Sequence, residues 1–201
     1  DIGAGVRWLH EQAGVENVVL LGNSGGGSLM GAYQSQAKGV TMTATPDLTL
    51  PAALNDIEPA DLYISLCAHA GRPEVLTDWF DPSILDEKDP TSIDPALNMY
   101  DKANGPPYSQ EFIDRYRGAQ VARNHRITQW CHEELERVQN LGMTDRSFNM
   151  YRTWADLRLM DPSIDPSERR ERWCYAGDPE TANFSPRGIG LTNTIRTWLS
   201  M

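Results

Sequence analysis

Val18-Val19-Leu20-Leu21-Gly22-Asn23-Ser24-Gly25-Gly26-Gly27-Ser28-Leu29-Met30-Gly31 is the stretch whose reading decides the fold. Its four consecutive aliphatic residues, with no polar alternation, predict a strand buried on both faces, as inner strands of parallel sheets are. The run breaks at Gly22, and Ser28 to Tyr33 can continue as a helix. Gly22 and Gly25 flank Asn23-Ser24 within a G-x-S-x-G pattern.

A strand, a tight turn and a helix give that pattern its meaning, because the turn holds the central serine in a strained conformation with its side chain exposed. Glycines are expected on both sides, where a β-carbon would collide with the neighbouring strand or helix. The helix would start just behind Ser24 and aim its free N–H groups at a developing oxyanion. The segment resembles the nucleophile elbow of the α/β-hydrolase superfamily. That resemblance implies Ser24 as nucleophile and the Gly25 N–H as one oxyanion donor.

Rival readings of the same residues are weaker. A phosphate-binding P-loop needs G-x-x-x-x-G-K-[ST], and no lysine lies between Val6 and Gln36. A dinucleotide fingerprint G-x-G-x-x-G started at Gly25 and Gly27 meets Met30 at its third position, with Gly31 one place late. A glycine-rich turn that only joins strand to helix remains the plain alternative.

With 201 residues, 40% of them hydrophobic, the chain can bury a core and form one or two domains. It begins at Asp1 inside an apparent helix and stops at Met201 inside another, so it reads as the central portion of a longer protein. The net charge of −10 works against nucleic acid or an anionic membrane as partner. Cys67, Cys131 and Cys174 are widely spaced and form no C-x-x-C pair, which suggests free thiols rather than a disulfide framework or zinc ribbon. No run approaches the roughly 18 apolar residues of a membrane span. No signal peptide is visible, and a cytoplasmic location is the expectation.

Along the chain, Val6, Leu9 and Ala13 predict a helix over residues 2–13 that stops at Gly14, with His10 on its surface. Residues 39–59 read as a surface excursion, with room for a short edge strand. Residues 60–68 predict a second parallel strand ending at His69-Ala70-Gly71. His69 leaves that strand at the carboxyl edge, where α/β sheets assemble their sites, and is read as pocket lining or a backbone hydrogen-bonding group before a proton carrier.

From Arg72 onward, seven aspartates and glutamates between Asp78 and Asp101 alternate with prolines, a turn-rich passage with at most short helices. The calcium loop pattern D-x-[DN]-x-[DN]-G is absent, and turn and cap chemistry is the better account of these carboxylates. Residues 109–141 carry Phe112, Tyr116, Ala119, Ala122, Arg123, Ile127, Trp130, Leu135, Val138 and Leu141 at three- and four-residue steps, a long helix that Gly118 could bend. His125 and His132 lie seven apart, too far for a zinc-chelating i,i+4 pair. Residues 146–153 allow a short strand or a helix entry. Asp161-Pro162 and Asp165-Pro166 look like helix starts, Trp173 to Tyr175 like a local packing cluster, and Asn183 to Gly190 like a loop. Leu191 to Met201 reads as an amphipathic helix.

The expected fold class is α/β: part of an α/β-hydrolase parallel sheet over residues 1–71, a mainly helical cap over 72–185 inserted after the sixth strand, and a helix over 186–201 returning toward further core. The Ala-His-Ala-Gly-Arg-Pro and Arg-Thr-Trp-Ala-Asp-Leu-Arg segments are similar to a bacterial group of capped hydrolases. That group names no substrate; the resemblance of the Ser24 segment to the α/β-hydrolase elbow implies a serine esterase acting on a small or medium-sized apolar ester through an acyl-enzyme, without cofactor or metal. Asn23, His69, Trp79 and Phe80 are its candidate pocket residues; Trp79 and Phe80, with Tyr100, Tyr108, Tyr151 and Trp154, could line the cap or form its own small core. The superfamily's acid, histidine and second oxyanion donor are expected outside the 201 residues. The contrasting expectation is a non-catalytic binding protein on the same scaffold.

Overall fold

A computed structural model describes residues 2–46, 48–105, 107–155 and 191–201. The expectations for Asp161 to Tyr175, Cys174 included, and for the loop from Asn183 lie outside those residues. The chain forms two compact units, Asp1–Val75 and Leu76–Met201, so the division falls a few residues after the expected one at 71/72.

In the first unit, α1 (Ile2–His10) precedes β1 (Val19–Asn23), α2 (Gly25–Lys38) and β2 (Leu62–Leu66). β1 and β2 are parallel, with Val19 beside Leu62, Leu21 beside Ile64 and Asn23 beside Leu66. Among the described residues of 39–59 there is one short 3-10 turn, Ala52–Asp56, and no strand. The core gathers Val6, Val18, Leu20, Tyr33 and Ala60. Polar clamps tie the connections down: the Gln34 amide both donates to Ala60 O (2.6 Å) and accepts from Ala60 N (3.0 Å), and the Asp61 carboxylate accepts from Val18 N at 2.7 Å. Burial and the Glu58 carboxylate push the Tyr33 hydroxyl above its ordinary pKa, and that hydroxyl donates to Glu58 O.

Two expectations are corrected here. α1 stops at His10, short of Ala13, because the chain turns back on itself at Gln12 and Val15, and Gly14 then takes a positive φ of 87°. β1 is buried on one face only: Leu20, like Val18 just before the strand, is covered, whereas Val19 and Leu21 are 46% and 57% exposed. Leu62, Ile64 and Leu66 share that open face by register.

In the second unit, α3 (Arg72–Trp79), in which the division falls, leads into an antiparallel hairpin of β3 (Ile84–Asp86) and β4 (Asp89–Ile93). α4 (Gln110–Asn140) follows, and β5 (Ser147–Met150) pairs antiparallel with β6 (Leu191–Thr194), which runs directly into α5 (Ile195–Leu199). The residues described here are therefore not purely helical. Leu191–Thr194 is strand rather than helix because its partner, β5, lies more than forty residues earlier, beyond the reach of local periodicity. Ile195 and Trp198 pack on Leu76, Phe80, Ile127 and Cys131, so the last eleven residues belong to the second unit's core.

α4 runs unbroken through Gly118 for 31 residues, about 46 Å at 1.5 Å per residue. Ser109 caps its start by accepting from Phe112 N at 3.2 Å. Gly142, at φ 80°, closes its end with paired bonds from Gly142 N to Gln139 O and from Met143 N to Val138 O. Its buried stripe is Phe112, Tyr116, Gln120, Arg123, Ile127, Cys131, Glu134 and Val138. Three of these eight are polar or charged, and Leu141, expected inside, is 67% exposed.

Arg123 is fully buried, and all five of its N–H groups are used. It grips both Glu87 carboxylate oxygens at 2.7 and 2.6 Å and donates to the carbonyls of Asp81, Tyr151 and Arg152. Its guanidinium also lies 4.8 Å from the Phe80 ring centre. Arg152, itself at φ 54°, pairs with buried Asp81 at 2.8 Å and donates to Pro90 O. Two cations against two anions leave this interior neutral, which is the condition for burying charge.

Aspartates in the turn-rich passage do turn chemistry. Asp81, Asp86, Asp89, Asp94 and Asp101 each accept from the backbone N–H two residues on.

Candidate active site

Ser24 sits between the end of β1 and the start of α2 with φ 54° and ψ −124°, a conformation that side-chain-bearing residues rarely adopt and that stores roughly 1–3 kcal/mol of strain. The backbone is held there from both sides. Ser24 N donates to Leu66 O on the neighbouring strand at 3.1 Å, and Ser24 O accepts from Gly27 N at 2.9 Å. The side chain is exposed and makes no capping bond to the helix. The hydroxyl therefore stands at the mouth of the turn, free for other chemistry. Gly25 opens α2, and the N–H groups of Gly25 and Gly26 precede the helix's own hydrogen-bond ladder.

The glycines divide by role. A β-carbon on Gly22 would stand 2.6 Å from both Gly26 O and Gly27 Cα, so the strand cannot leave for the turn with any side chain there. The second steric requirement falls on Gly27 rather than on Gly25. At Gly27 a β-carbon would run into the Ala68 methyl; at Gly25 it would meet only His69 Nε2, at 3.4 Å. This close approach lets α2 lie against the end of β2, and Tyr63 reinforces it by donating to Gly27 O at 2.6 Å.

His69 is half-buried beside Gly25. Its Nδ1 is shielded from solvent and has no hydrogen-bond partner among the described residues. It also lines an open groove of about 520 Å³ with Ser28, Gly31, Tyr63 and Ser65. Asn23 ends β1 with an exposed side chain. His10 lies on the surface of α1, 3.4 Å from Pro59 O, and His125 and His132 are exposed on α4.

The remaining candidates belong to the second unit. Phe80 is 0% exposed and stacked 6.0 Å from Trp198, so of its two expected roles it takes the one in the core and not the one in a pocket lining. Trp79 stacks on Trp154 at 4.9 Å. Tyr108 donates to Met99 O and Tyr100 to Trp154 O, contacts of a local core. Tyr151 borders a cavity treated below. Sequence reasoning missed the Arg123–Glu87 and Arg152–Asp81 pairs; the one local signal was a charged residue within the apolar stripe of α4.

Among the described residues no three His, Cys, Asp or Glu side chains come together as a metal site requires. No described helix is long and apolar enough to cross a membrane. No protein-family model matches the chain, nor does any curated protein or solved structure.

Proposed function

We propose that the chain carries the nucleophile of an α/β-hydrolase-type serine esterase, with a mainly helical cap formed from the second unit's sequence. The observation that carries this reading is the backbone of Ser24: positive φ, directly between a parallel strand and a helix N-terminus, with an exposed hydroxyl. Strain of this kind persists only where surrounding structure enforces it, and here two backbone bonds and two close glycine contacts do so.

In the reaction, Ser24 Oγ attacks the carbonyl carbon of an apolar carboxylic ester and gives up its proton as the bond forms. The carbonyl oxygen gains the negative charge, which the Gly25 N–H and the positive end of α2 stabilise. Collapse expels the alcohol and leaves the acyl group on Ser24, from which water releases it as a carboxylic acid. Ser24 needs a proton acceptor for the first step. Among the described residues no carboxylate orients His69 Nδ1, so the 201 residues by themselves are expected to turn over a simple aryl ester negligibly. The same orphaned nitrogen favours the second reading, a non-catalytic binding protein on this scaffold. Free thiols at Cys67 and Cys131 suit a reducing, cytoplasmic setting for either.

A fluorophosphonate probe separates the two. Labelling of the intact protein that disappears in Ser24→Ala supports the esterase; well-folded protein that takes no label overturns it.

A further inference from the structure

The second unit holds a cavity of about 590 Å³ walled by the β3–β4 hairpin, α4 and β5, a size that suits a drug-sized ligand. Its floor is apolar. Ile127 and Met150 are buried beneath it, and the Trp130 and Phe148 rings meet at 5.2 Å with a 56° tilt.

Charge at the mouth is distributed unevenly. Glu87 is occupied by Arg123, whose Nε and Nη2 take both its oxygens. Arg146 is ion-paired with Glu134 and lies over the Trp130 ring at 5.8 Å. Asp86 accepts from Lys88 N. The side chains of Lys88 and Arg126 are exposed and have no ionic partner among the described residues. Asp86, which has no ion pair among the described residues either, offsets one of them, so the lining keeps an excess of one positive charge over an apolar floor in a chain of net charge −10, and such a cleft concentrates anions.

We propose that this cavity binds a monoanionic amphiphile: an organic carboxylate whose chain or ring lies on Trp130, Phe148, Ile127 and Met150 while its head group meets Lys88 and Arg126. The floor contributes by burying apolar area, and the two cations fix which end stays at the mouth. Asp86 and Glu87 at the same rim oppose a second negative charge, which selects a monoanion over a phosphate dianion. The site is independent of Ser24.

Decanoate and its uncharged counterpart 1-decanol test this by titration calorimetry at low salt, below the concentration at which either self-associates. Saturable one-to-one binding of decanoate is expected, at least tenfold tighter than that of decanol. A Lys88→Ala/Arg126→Ala double variant should lose that preference and bind decanoate at least tenfold more weakly. Both residues are exposed, so the variant should keep its fold, which far-UV circular dichroism checks. No saturable binding, equal binding of acid and alcohol, or an unchanged double variant each overturn the proposal, and none of them touches fluorophosphonate labelling at Ser24.

Discussion

Gly27 faces Ala68 so closely that a β-carbon on Gly27 would fall within the Ala68 methyl, with the Ala68 α-carbon only 3.2 Å away. Two residues from different elements thus set how near α2 comes to the end of β2. Gly27→Ala is expected to destabilise the first unit by about 2 kcal/mol through overpacking. Gly26→Ala, where a β-carbon meets nothing within 4 Å, should be neutral or gain a few tenths of a kcal/mol from helix propensity. Urea melts of the two variants should therefore move apart; equal midpoints would mean that the contact carries no energy.

Ser24 presents the opposite case, a side chain where glycine would be easier. Ser24→Gly should relieve the positive-φ strain and raise stability by roughly 1 kcal/mol, while removing fluorophosphonate labelling. Loss of labelling with a fall in stability would show that the serine contributes to the fold and not only to the turn's chemistry.

Arg123 is expected to be the least tolerant position on α4. Arg123→Met leaves Glu87 without its partner and strands three carbonyls, a loss of about 3–5 kcal/mol. Arg123→Lys should recover little, since one ammonium cannot reproduce the two-pronged grip on Glu87 or all five bonds. A lysine variant that melts like the parent protein would contradict this account.

Glu134 gives a pH dependence with a definite sign. Hydrogen bonds from Arg137 come first, followed by the charges of Arg137 and Arg146, and together they outweigh burial to hold the carboxyl at about 2 against an ordinary 4.5. A depressed folded-state value stabilises the protein above the unfolded value and is lost on acidification. The stability difference between the parent and Glu134→Gln should accordingly shrink from pH 4.5 toward pH 2. A difference that is flat across that window would refute the assignment.

The thiols should separate just as cleanly. Burial pushes the Cys131 thiol up to about 12, with a further push from Asp145, whereas Cys67 is exposed. Peptide mapping after iodoacetamide at pH 8 should find Cys67 modified and Cys131 intact in native protein.

The strand, turn and helix around Ser24 could be read from sequence because the motif that announces them lies within fourteen residues. Likewise α4 announced itself through three- and four-residue spacing. The β3–β4 hairpin did not, since its strands are short and hold Asp89 and Pro90, residues that local propensity assigns to turns. The charged interior was equally hidden: Arg152 and Asp81 are 71 residues apart, and no periodicity links them. Crowding was expected at both Gly22 and Gly25; at Gly22 it is found, but its second place is Gly27, where it depends on Ala68, a residue from the next strand's exit. Long-range partners, in each instance, decided what neighbouring residues left open.

The uncovered face of the β1–β2 pair has a practical meaning. Val19, Leu21, Leu62, Ile64 and Leu66, each about half or more in water, form a sticky plane on a pair of strands that have no further strand neighbour among the described residues. The 201 residues taken by themselves should cling to hydrophobic-interaction resin and tend to precipitate when concentrated. Replacing Leu21 and Ile64 with threonine should cure both habits while leaving the strands in place.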